Sequence, residues 1–543
     1  MQQLEEKTQT QKENGERRTL VNFRLALFCA FFFIFGVYFY KAVILGASLW
    51  WLILLCLPFF SLLLFKTKKE LFRTFIRVLS LVCAFLFGMG AFALQVRSFE
   101  SGGKYNGDFF VSGIVDDCLQ EGELCKITLS HLEIDGNAEK GKLVAYLPYT
   151  YAKKLHLNDS LAMQGKVKRE TLDFEDNYFA YTILEDIRFQ MNAEEAVVLD
   201  NQFRLFPFLR EKLITTLREG LDETTASVTI ALLTGDSRSI DNGLLDNVRY
   251  GGIAHVFAVS GLHVGVLFGI SLWLMKRKSL RRTPKIIRFI FVAIVLLLYG
   301  GICGYSASVL RATVTCLIAY ASQLIGLTTD SGESIGVSAL VVTAISPVSI
   351  FTVGFQLSFA ACFGIVWLSK PILNCLIKPL PVTEEGDTAP LSVWQDTKRR
   401  AISFFAVTLS AQIATAPIQM ATFGYLSLWS ILLNCIFVPL ISALFSILLL
   451  LVFVGCILPA TWTATILYLP NLLWTVLLLA FEIVDFSSFA LTGITLNGPA
   501  IVCYYLVCTL FTDKYNLSKK TKRILIFLAI LAFGITMYAL NAV

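Results

Sequence analysis

Apolar segments close to the length of a membrane-spanning helix recur along most of the chain. The first three are "LALFCAFFFIFGVYFY", "LWWLILLCLPFFSLLLF" and "VLSLVCAFLFGMGAFAL", and more follow from residue 252 onward. A helix needs about 20 predominantly apolar residues to cross the hydrocarbon core of a bilayer. The composition agrees, because 56% of the residues are hydrophobic and only 16% are charged. Soluble domains are about one quarter charged, so the chain is predicted to be a polytopic α-helical membrane protein.

Basic residues cluster in short loops between these apolar segments. Examples are Arg17 with Arg18, Lys66 to Arg73, and "KRKSLRRTPK" from Lys276. Because short cytoplasmic loops are enriched in Lys and Arg, the pattern predicts a cytoplasmic N-terminus. Contacts with nucleic acid are an alternative role for the same lysines. No cleavable signal peptide is recognised before the first apolar segment, so a multi-pass protein of the plasma (inner) membrane is expected.

The alternation of polar and apolar segments divides the chain into consecutive parts. The predicted parts are a cytoplasmic tail (1–22), a three-helix membrane segment (23–96, with spans at 23–42, 47–65 and 75–95), an extracytoplasmic domain (97–200), amphipathic surface helices (201–250), a transmembrane domain (251–515), and a basic loop with a final transmembrane helix (516–543). The apolar block at 427–457 is too long for one simple span. It is expected to be strongly tilted, or broken at Pro439.

Residues 97–200 form the one polar domain of the sequence. Segments such as "FFVSGIVDDC" and "CKITLSHLEI" alternate apolar and polar residues between Gly, Asn and Asp, which is typical of strands. A small β-barrel of about five strands is predicted. Cys118 and Cys125 lie close together in this domain, and an extracytoplasmic location suggests a local disulfide between them. The alternative is two free cysteines that face each other across a hairpin.

Two of the four histidines occur together in "GGIAHVFAVSGLHVGVL". On a continuous helix His255, Ser260 and His263 would occupy one side, whereas Phe257 and Leu262 would occupy the other. Polar residues in a membrane helix usually face the bundle interior or a water-filled cavity. The three residues are therefore predicted to line a polar path. The alternative is that each histidine hydrogen-bonds to a neighbouring helix.

Other predicted helices also carry an inward polar face. Arg311 lies well inside an apolar segment, where a charge costs several kcal/mol unless it is paired or hydrated. Ser308 shares its face. Helices around an aqueous or polar path are expected to show this pattern. The complete set predicted to line the path is His255, Ser260, His263, Ser308, Arg311, Gln356, Gln412 and Asn434.

The sequence lacks the characteristic motifs of several enzyme classes. The sequence contains neither the G-x-x-x-x-G-K-[ST] phosphate loop nor the G-x-S-x-G nucleophile elbow, and no histidine follows His263. An intramembrane serine protease at "AVSGLH" would need a base that another helix holds against Ser260, yet both membrane histidines belong to the same predicted helix. No catalytic residue, metal ion or cofactor is expected.

Five segments, in order, resemble the signatures of the ComEC-type competence proteins. They are "LLTGDSRSI", "GGIAHVFAVSGLHVGVL", "GYSASVLRATV", "GFQLSFAACFGIV" and "APIQMATFGYLSLWSILLNCIFVPL", which together span residues 232–440. Motif residues within them are Gly235, Asp236, Gly261 and Leu262. The resemblance extends over nearly the whole chain, and residues 97–200 resemble the OB-like module of the family.

The resemblance implies an α-helical polytopic membrane protein with an inserted extracytoplasmic OB-like small β-barrel domain. It also implies that 251–515 is a competence-type channel domain, which imports single-stranded DNA during natural transformation. Arg311 would offer a cation to phosphate, and His255, Ser260 and His263 would line or gate the outer part of the path. The implied partners are single-stranded DNA, membrane lipid, an extracytoplasmic DNA receptor and a cytoplasmic helicase.

The chain departs from the family pattern at two points. Many members carry a C-terminal metallo-β-lactamase-like domain, and its His-x-His-x-Asp-His motif is absent here, so a short form or a separate nuclease is expected. Residues 97–200 hold 11 Lys and Arg against 19 Asp and Glu, whereas DNA binding uses cations to neutralise phosphates. Any DNA contact there would use a local patch such as Lys166, Lys168 and Arg169, or aromatic stacking. The alternative functions are a transporter of another polar or anionic solute and an intramembrane serine protease.

Overall fold

A computed structural model describes most of the chain, and the account below is confined to those residues. They are 24–46, 68–121, 123–149, 155–176, 178–257, 259–275, 283–326, 330–377, 392–427, 429–456, 458–483, 486, 490–493, 496, 498–510 and 519–541. The predicted tail at 1–22 and the predicted span at 47–65 lie outside these ranges. Eight described helices are long and apolar enough to cross a membrane, and the chain is a multi-pass membrane protein.

The elements alternate between long helices and one block of strands. The helices are α1 (Leu25–Ile44), α2 (Lys68–Glu100), α3 (Tyr178–Leu184), α4 (Leu205–Gly220), α5 (Glu223–Thr234), α6 (Asn242–Tyr250), α7 (Gly261–Met275), α8 (Lys285–Ile302), α9 (Ala307–Ile325), α10 (Ser331–Ile345), α11 (Val353–Leu376), α12 (Val393–Phe423), α13 (Ser430–Gly455), α14 (Ala460–Ile483), α15 (Gly498–Leu510) and α16 (Lys519–Asn541). The strands are β1 (Asn106–Glu121), β2 (Leu124–Ile134), β3 (Asn137–Glu139), β4 (Lys142–Pro148), β5 (Asp159–Arg169), β6 (Ile187–Asn201), β7 (Tyr425–Ser427) and β8 (Ala490–Thr492).

The polar domain is a small closed barrel, as predicted. Its strand order is β1-β5-β6-β4-β2, β1 also pairs with β2 to close the ring, and the short β3 adds to the edge of β2. Only β4 and β6 run parallel among the pairs of the barrel. Alternate residues of these strands point inward and form one apolar core, which includes Val115, Ile127 and Met163. The barrel therefore folds around its own core, as the alternation of the sequence predicts.

The two cysteines of the barrel lie on strands rather than in a loop. Cys118 is opposite Ile127, and Cys125 is opposite Gln120, so the two are diagonal neighbours across the β1–β2 hairpin. Both thiols are free, and the predicted disulfide is not formed in the structure. Cys125 belongs to the barrel core and Cys118 packs against it. Burial is also the main reason why the pKa of Cys118 rises to about 11.

Two units can be distinguished within the chain. The larger comprises Leu25–Phe359 and Leu432–Phe489, and the smaller comprises Met1–Arg24, Ala360–Ile431 and Ala490–Val543. In the larger unit, glycines let helix backbones approach closely: a Cβ added at Gly36 would lie 2.2 Å from the carbonyl oxygen of Phe85. Small residues serve this purpose in membrane helices generally.

Residues 201–250 are predicted to form amphipathic surface helices, and the structure differs from this prediction at α5. Helix α4 carries both charged and apolar side chains and is mostly not buried. Helix α5, in contrast, is buried over nearly its whole length, from Thr225 to Thr234. The reason is in its sequence, "ETTASVTIALLT", which after the first residues has no charged side chain to keep one face in water. The prediction of surface helices is therefore wrong for α5.

In the smaller unit, Pro417 lies inside α12. A proline has no backbone N–H, so the carbonyl of Ile413, four residues earlier, loses its usual helical donor. The hydroxyl of Tyr504 on α15 donates to this carbonyl at 2.8 Å. Tyr505 donates to the next carbonyl, of Ala414, at 2.7 Å. The two tyrosines therefore donate hydrogen bonds to backbone carbonyls within a candidate membrane-spanning helix, where such groups need partners inside the protein.

Helix α13 is continuous from Ser430 to Gly455, with Pro439 inside it. The predicted break at Pro439 is therefore not found. At 1.5 Å per residue, a helix of 26 residues is about 39 Å long, which exceeds the thickness of about 30 Å of the hydrocarbon core.

Candidate functional site

The helix predicted to start at residue 252 begins nine residues later, at Gly261. Gly252 has a φ of 75°, a left-handed conformation that interrupts any helix at this point. A single 3₁₀ turn, Ala254–Val256, follows it. His255 and Ser260 therefore precede helix α7, and only His263 belongs to it. The shared helical arc that the sequence predicted for these three residues is wrong.

His263 is fully buried in the structure. Its Nδ1 accepts a hydrogen bond from the backbone N–H of Ser260 at 3.2 Å, and its ring packs on Phe445 of α13, with centroids 4.4 Å apart. Its Nε2 has no hydrogen-bond partner among the described residues. Exposure is the reverse of that predicted at two positions, since His263 is 0% exposed and Leu262 is 38% exposed. It agrees with the prediction at His255, which is exposed, and at Phe257, which is buried.

Ser260 caps the N-terminal end of α7. Its hydroxyl accepts from the backbone N–H of Leu262 at 3.3 Å, and the contact with His263 is made by the backbone N–H of Ser260. A serine nucleophile requires its hydroxyl to donate to the base. This local arrangement therefore caps a helix and does not resemble that of a serine protease.

The best-defined polar cluster joins α9 and α11. The Oγ atoms of Ser308 and Ser358 are 3.0 Å apart, and Arg311 Nε donates to Ser358 Oγ at 2.8 Å. The guanidinium also lies over the ring of Phe359, at 5.8 Å from the centroid. Arg311 is only 8% exposed. The structure thus brings Ser308 and Arg311 together, as predicted, and adds Ser358, which sequence reasoning missed although it lies in the "GFQLSFAACFGIV" segment.

Gly261 completes the cluster from the side of α7. A Cβ added there would lie 2.8 Å from Arg311 Nη2 and 3.6 Å from Ala312 Cβ. The guanidinium therefore occupies the space that any side chain at position 261 would need. Gly235, at the end of α5, is similar, because its φ is 84° and an added Cβ would lie 3.1 Å from Val259 Cγ2.

Gln356 supports an interruption between two helices. Its Nε2 donates to the carbonyl of Ile350 at 3.1 Å, within the buried 3₁₀ turn Pro347–Phe351 that separates α10 from α11. Gln95 of α2 assists, because its Oε1 accepts from the N–H of Val348 at 3.0 Å. Non-helical backbone at membrane depth needs such partners. Sequence reasoning missed Gln95, although a lone amide in the apolar α2 was a usable signal.

The remaining predicted residues do not join the Arg311 cluster. Asn434 of α13 is 9% exposed, and its Oδ1 has no partner among the described residues. Gln412 belongs to the smaller unit, where its Nε2 donates to Gln419 Oε1 at 3.3 Å. Gln419 in turn donates to Thr415 Oγ1 at 3.3 Å. Gln412, Gln419 and Thr415 of α12 are therefore connected by side-chain hydrogen bonds.

Asp236 is the centre of an ion network after α5. It pairs with Arg210 at 2.8 Å, and it accepts from Arg238 Nε at 2.6 Å. The same Arg238 guanidinium contacts both carboxylate oxygens of Asp117 on β1. Burial opposes the charge of Asp236, but the hydrogen bonds from Arg238 and the charges of Arg238 and Arg210 outweigh it, so the pKa of Asp236 lies below its ordinary value. These ion pairs connect the loop after α5, which contains Gly235 and Asp236 and is called the motif loop below, to strand β1 of the barrel.

The described ranges hold no group of three or more His, Cys, Asp or Glu side chains that is able to bind a metal ion. The cations and amides described above are instead arranged to donate hydrogen bonds.

Comparisons with known proteins add a family and several relatives. The model of a family described as "Competence protein" matches residues 232–515. ComE operon protein 3 of Bacillus subtilis is 28% identical over 231 residues, which are 42% of this chain and 26% of that protein. The uncharacterized protein MG316 homolog of Mycoplasma pneumoniae is 32% identical over 170 residues, 30% of this chain and 42% of that protein. The chain thus spans less than half of these curated relatives, and no solved structure matches it.

Proposed function

The chain belongs to the Competence protein family, and from this premise we propose that it is an inner-membrane channel that imports single-stranded DNA during natural transformation. The observation that carries the proposal is the buried Arg311 at the junction of three helices. A cation held at 8% exposure among apolar helices is costly. Such residues usually belong to substrate or ion pathways. A DNA strand carries one negative charge on each phosphodiester, so it is an anionic substrate that the Arg311 cation is able to bind.

The geometry around Arg311 suits transient contact with a phosphate. Ser358 Oγ and the face of Phe359 hold the guanidinium, so its orientation is set before a phosphate arrives. A planar guanidinium binds phosphate oxygens with two parallel hydrogen bonds. The neutral hydroxyls of Ser308 and Ser358 beside it offer weaker hydrogen bonds. A path needs sites that bind strongly enough to admit the substrate and weakly enough to release it.

For orientation, we propose a cytoplasmic N-terminus and an extracytoplasmic barrel. The support is the excess of Lys and Arg at 66–73, around the start of α2, and at 276–285, after α7. The barrel then lies where DNA arrives, and the tie from Asp117 to Arg238 fixes it to the motif loop of the membrane domain.

The proposed partners rest on membership of the competence family. We propose that a cytoplasmic helicase drives transport and that a DNA receptor outside delivers the strand. A separate nuclease would degrade the complementary strand.

The test is natural transformation of a host strain in which the gene is deleted and replaced by variants. Arg311→Ala should abolish uptake of labelled DNA while the protein still accumulates in the membrane. Arg311→Lys should retain part of the uptake, because a charge survives without the forked geometry. The matched control is Arg249→Ala, which removes an arginine that is half exposed. Normal uptake with Arg311→Ala, or normal transformation of the deletion strain, would overturn the proposal.

A further inference from the structure

Two exposed tyrosines form a pair on helix α3 of the barrel domain. Tyr178 is 48% exposed and Tyr181 is 44% exposed, and their ring centroids are 5.7 Å apart at an interplanar angle of 37°. They lie three residues apart, so both project from one side of the helix. Each ring therefore offers a broad apolar face to the surroundings, whereas most aromatic rings of folded proteins are largely buried.

The opposite side of α3 is fixed to the membrane domain. Phe179 is buried and packs on Phe351, with centroids 5.2 Å apart. The ammonium of Lys41 on α1 lies 4.5 Å from the centroid of the same Phe179 ring. Phe351 belongs to the 3₁₀ turn that leads into α11, the helix that carries Ser358. The tyrosine pair is thus held rigidly next to the chain segment that leads to the Arg311 cluster.

Charged side chains surround the pair. Burial is the largest cause that raises the pKa of both tyrosine hydroxyls, followed by the charges of Glu185 at Tyr181 and Glu170 at Tyr178, whereas the charge of Arg238 lowers the pKa of Tyr181. Arg238 also borders an open crevice of about 340 Å³, a volume within the usual range for small-ligand sites. Serine, threonine and asparagine side chains share the lining of this crevice, at Thr224, Ser227, Ser239 and Asn242.

The charge of the barrel decides which part of a DNA strand can face this surface. Of the cationic patch predicted from the sequence, Arg169 is already occupied, since it donates to the backbone carbonyls of Phe99, Glu100, Gly102 and Gly103. The acidic excess over residues 97–200 repels phosphate. Unpaired bases are neutral, and every base has a flat face that stacks on an aromatic ring.

We propose that Tyr178 and Tyr181 form a stacking platform for unpaired bases of the incoming strand, next to the entrance of the membrane domain. This inference rests on the proposed function and specifies how that substrate is first held. The strand lies with its bases on the tyrosine rings and its phosphates turned away from the acidic barrel. Stacking tolerates every sequence, as a carrier of unselected DNA requires.

The experiment measures binding of fluorescent oligo-dT to the full-length protein in lipid nanodiscs. Replacement of both tyrosines by alanine should weaken binding on the order of tenfold or more, whereas replacement of both by phenylalanine should preserve it. The salt dependence should stay the same, because no phosphate contact is removed. The matched control is Phe110→Ala, which removes a barrel aromatic that is 53% exposed, and it should leave the affinity unchanged.

A strand of equal length made of abasic sites separates stacking from other causes. The wild type and the double alanine variant should bind it equally. The platform is overturned if the alanine variant binds oligo-dT as tightly as the wild type, if binding of the abasic strand falls by the same factor, or if the phenylalanine variant loses affinity too. Rings buried in the headgroup region would give the first of these outcomes. If the wild type binds oligo-dT and the platform variants do not differ from it, the proposed function still stands. It falls if the deletion strain transforms normally or if Arg311→Ala leaves uptake normal.

Discussion

The guanidinium of Arg311 occupies the space above the Cα of Gly261, so that a Cβ at position 261 would lie 2.8 Å from Arg311 Nη2. One residue on α7 and one on α9 are thereby mutually dependent. The glycine provides room for the arginine, and the arginine, held by Ser358 at 2.8 Å, blocks any larger residue at position 261. The glycine of the "SGLH" motif is thus explained by a partner on another helix.

Gly261→Ala should therefore displace the Arg311 guanidinium and weaken its hydrogen bond to Ser358. Because the obstructing atom is the end of a flexible side chain, the helices need not move, and we expect the protein to accumulate normally. DNA uptake should fall at least tenfold if Arg311 contacts the strand. The matched control is Gly265→Ala, one turn further along α7, where an added Cβ meets nothing within 4 Å. Equal uptake by the two variants would show that the position of Arg311 is irrelevant to transport.

The ion network at Asp236 should contribute measurably to stability. Asp236→Asn removes the carboxylate shared by Arg210 and Arg238, and it should lower the free energy of unfolding by roughly 1–3 kcal/mol. Asp246→Asn is the matched control, because the Asp246–Arg249 pair has side chains 57% and 50% exposed, and exposed pairs contribute little. Thermal unfolding of both variants in the same detergent gives the comparison, and equal melting temperatures would contradict the prediction.

The same carboxylate predicts a pH dependence. The pKa of Asp236 is lower in the folded protein than its ordinary value, so its stabilising contribution is fully present at neutral pH. It should be lost as the pH falls below about 4, through the lowered pKa. The difference in melting temperature between wild type and Asp236→Asn should therefore shrink on acidification. A difference that stays constant down to pH 3 would assign the stabilisation to packing.

The hydrogen bond from Tyr504 to the carbonyl of Ile413 should matter only because Pro417 is present. Tyr504→Phe leaves this carbonyl without a donor and should destabilise the protein by about 1 kcal/mol. Pro417→Ala restores the helical N–H, so the same Tyr504→Phe change should cost much less in that background. A double-mutant cycle on thermal unfolding measures this coupling, and strictly additive effects would be evidence against it.

The general architecture could be predicted from the sequence because hydrophobic length and alternation are local properties. The barrel at 97–200 and the spans at α1 and α2 follow directly from them. The site could be predicted only in part. Arg311 and Ser308 were found because a charge in an apolar helix is conspicuous, whereas Ser358 and Gln95 act through contacts with distant segments that periodicity does not encode. The amphipathic α4 leads to the prediction of a surface helix at α5 as well, whereas α5 is buried.

The error at His255, Ser260 and His263 has a single cause, the assumption of a continuous helix. Helical angles have meaning only within one helix, and Gly252 in its left-handed conformation (φ 75°) ends the regular backbone before His255. The three side chains are then oriented by the 3₁₀ turn and by the cap at Ser260. Predictions about accessibility must follow these local contacts.

Cysteines introduced singly into a cysteine-free protein test this local structure. A cysteine at position 255 should react with a small maleimide in the folded protein, because His255 is exposed. Cysteines at 257 and 263 should not, since Phe257 is 2% exposed and His263 is 0% exposed. The continuous helix makes the opposite prediction for position 263, which would then react together with 255. Labelling after unfolding is the control for intrinsic reactivity, and unchanged gel-filtration profiles are the control for folding. Reaction at 255 alone would identify His263 as a buried contact of Phe445, whereas equal reaction at 255 and 263 would return both histidines to the wall of a wet path.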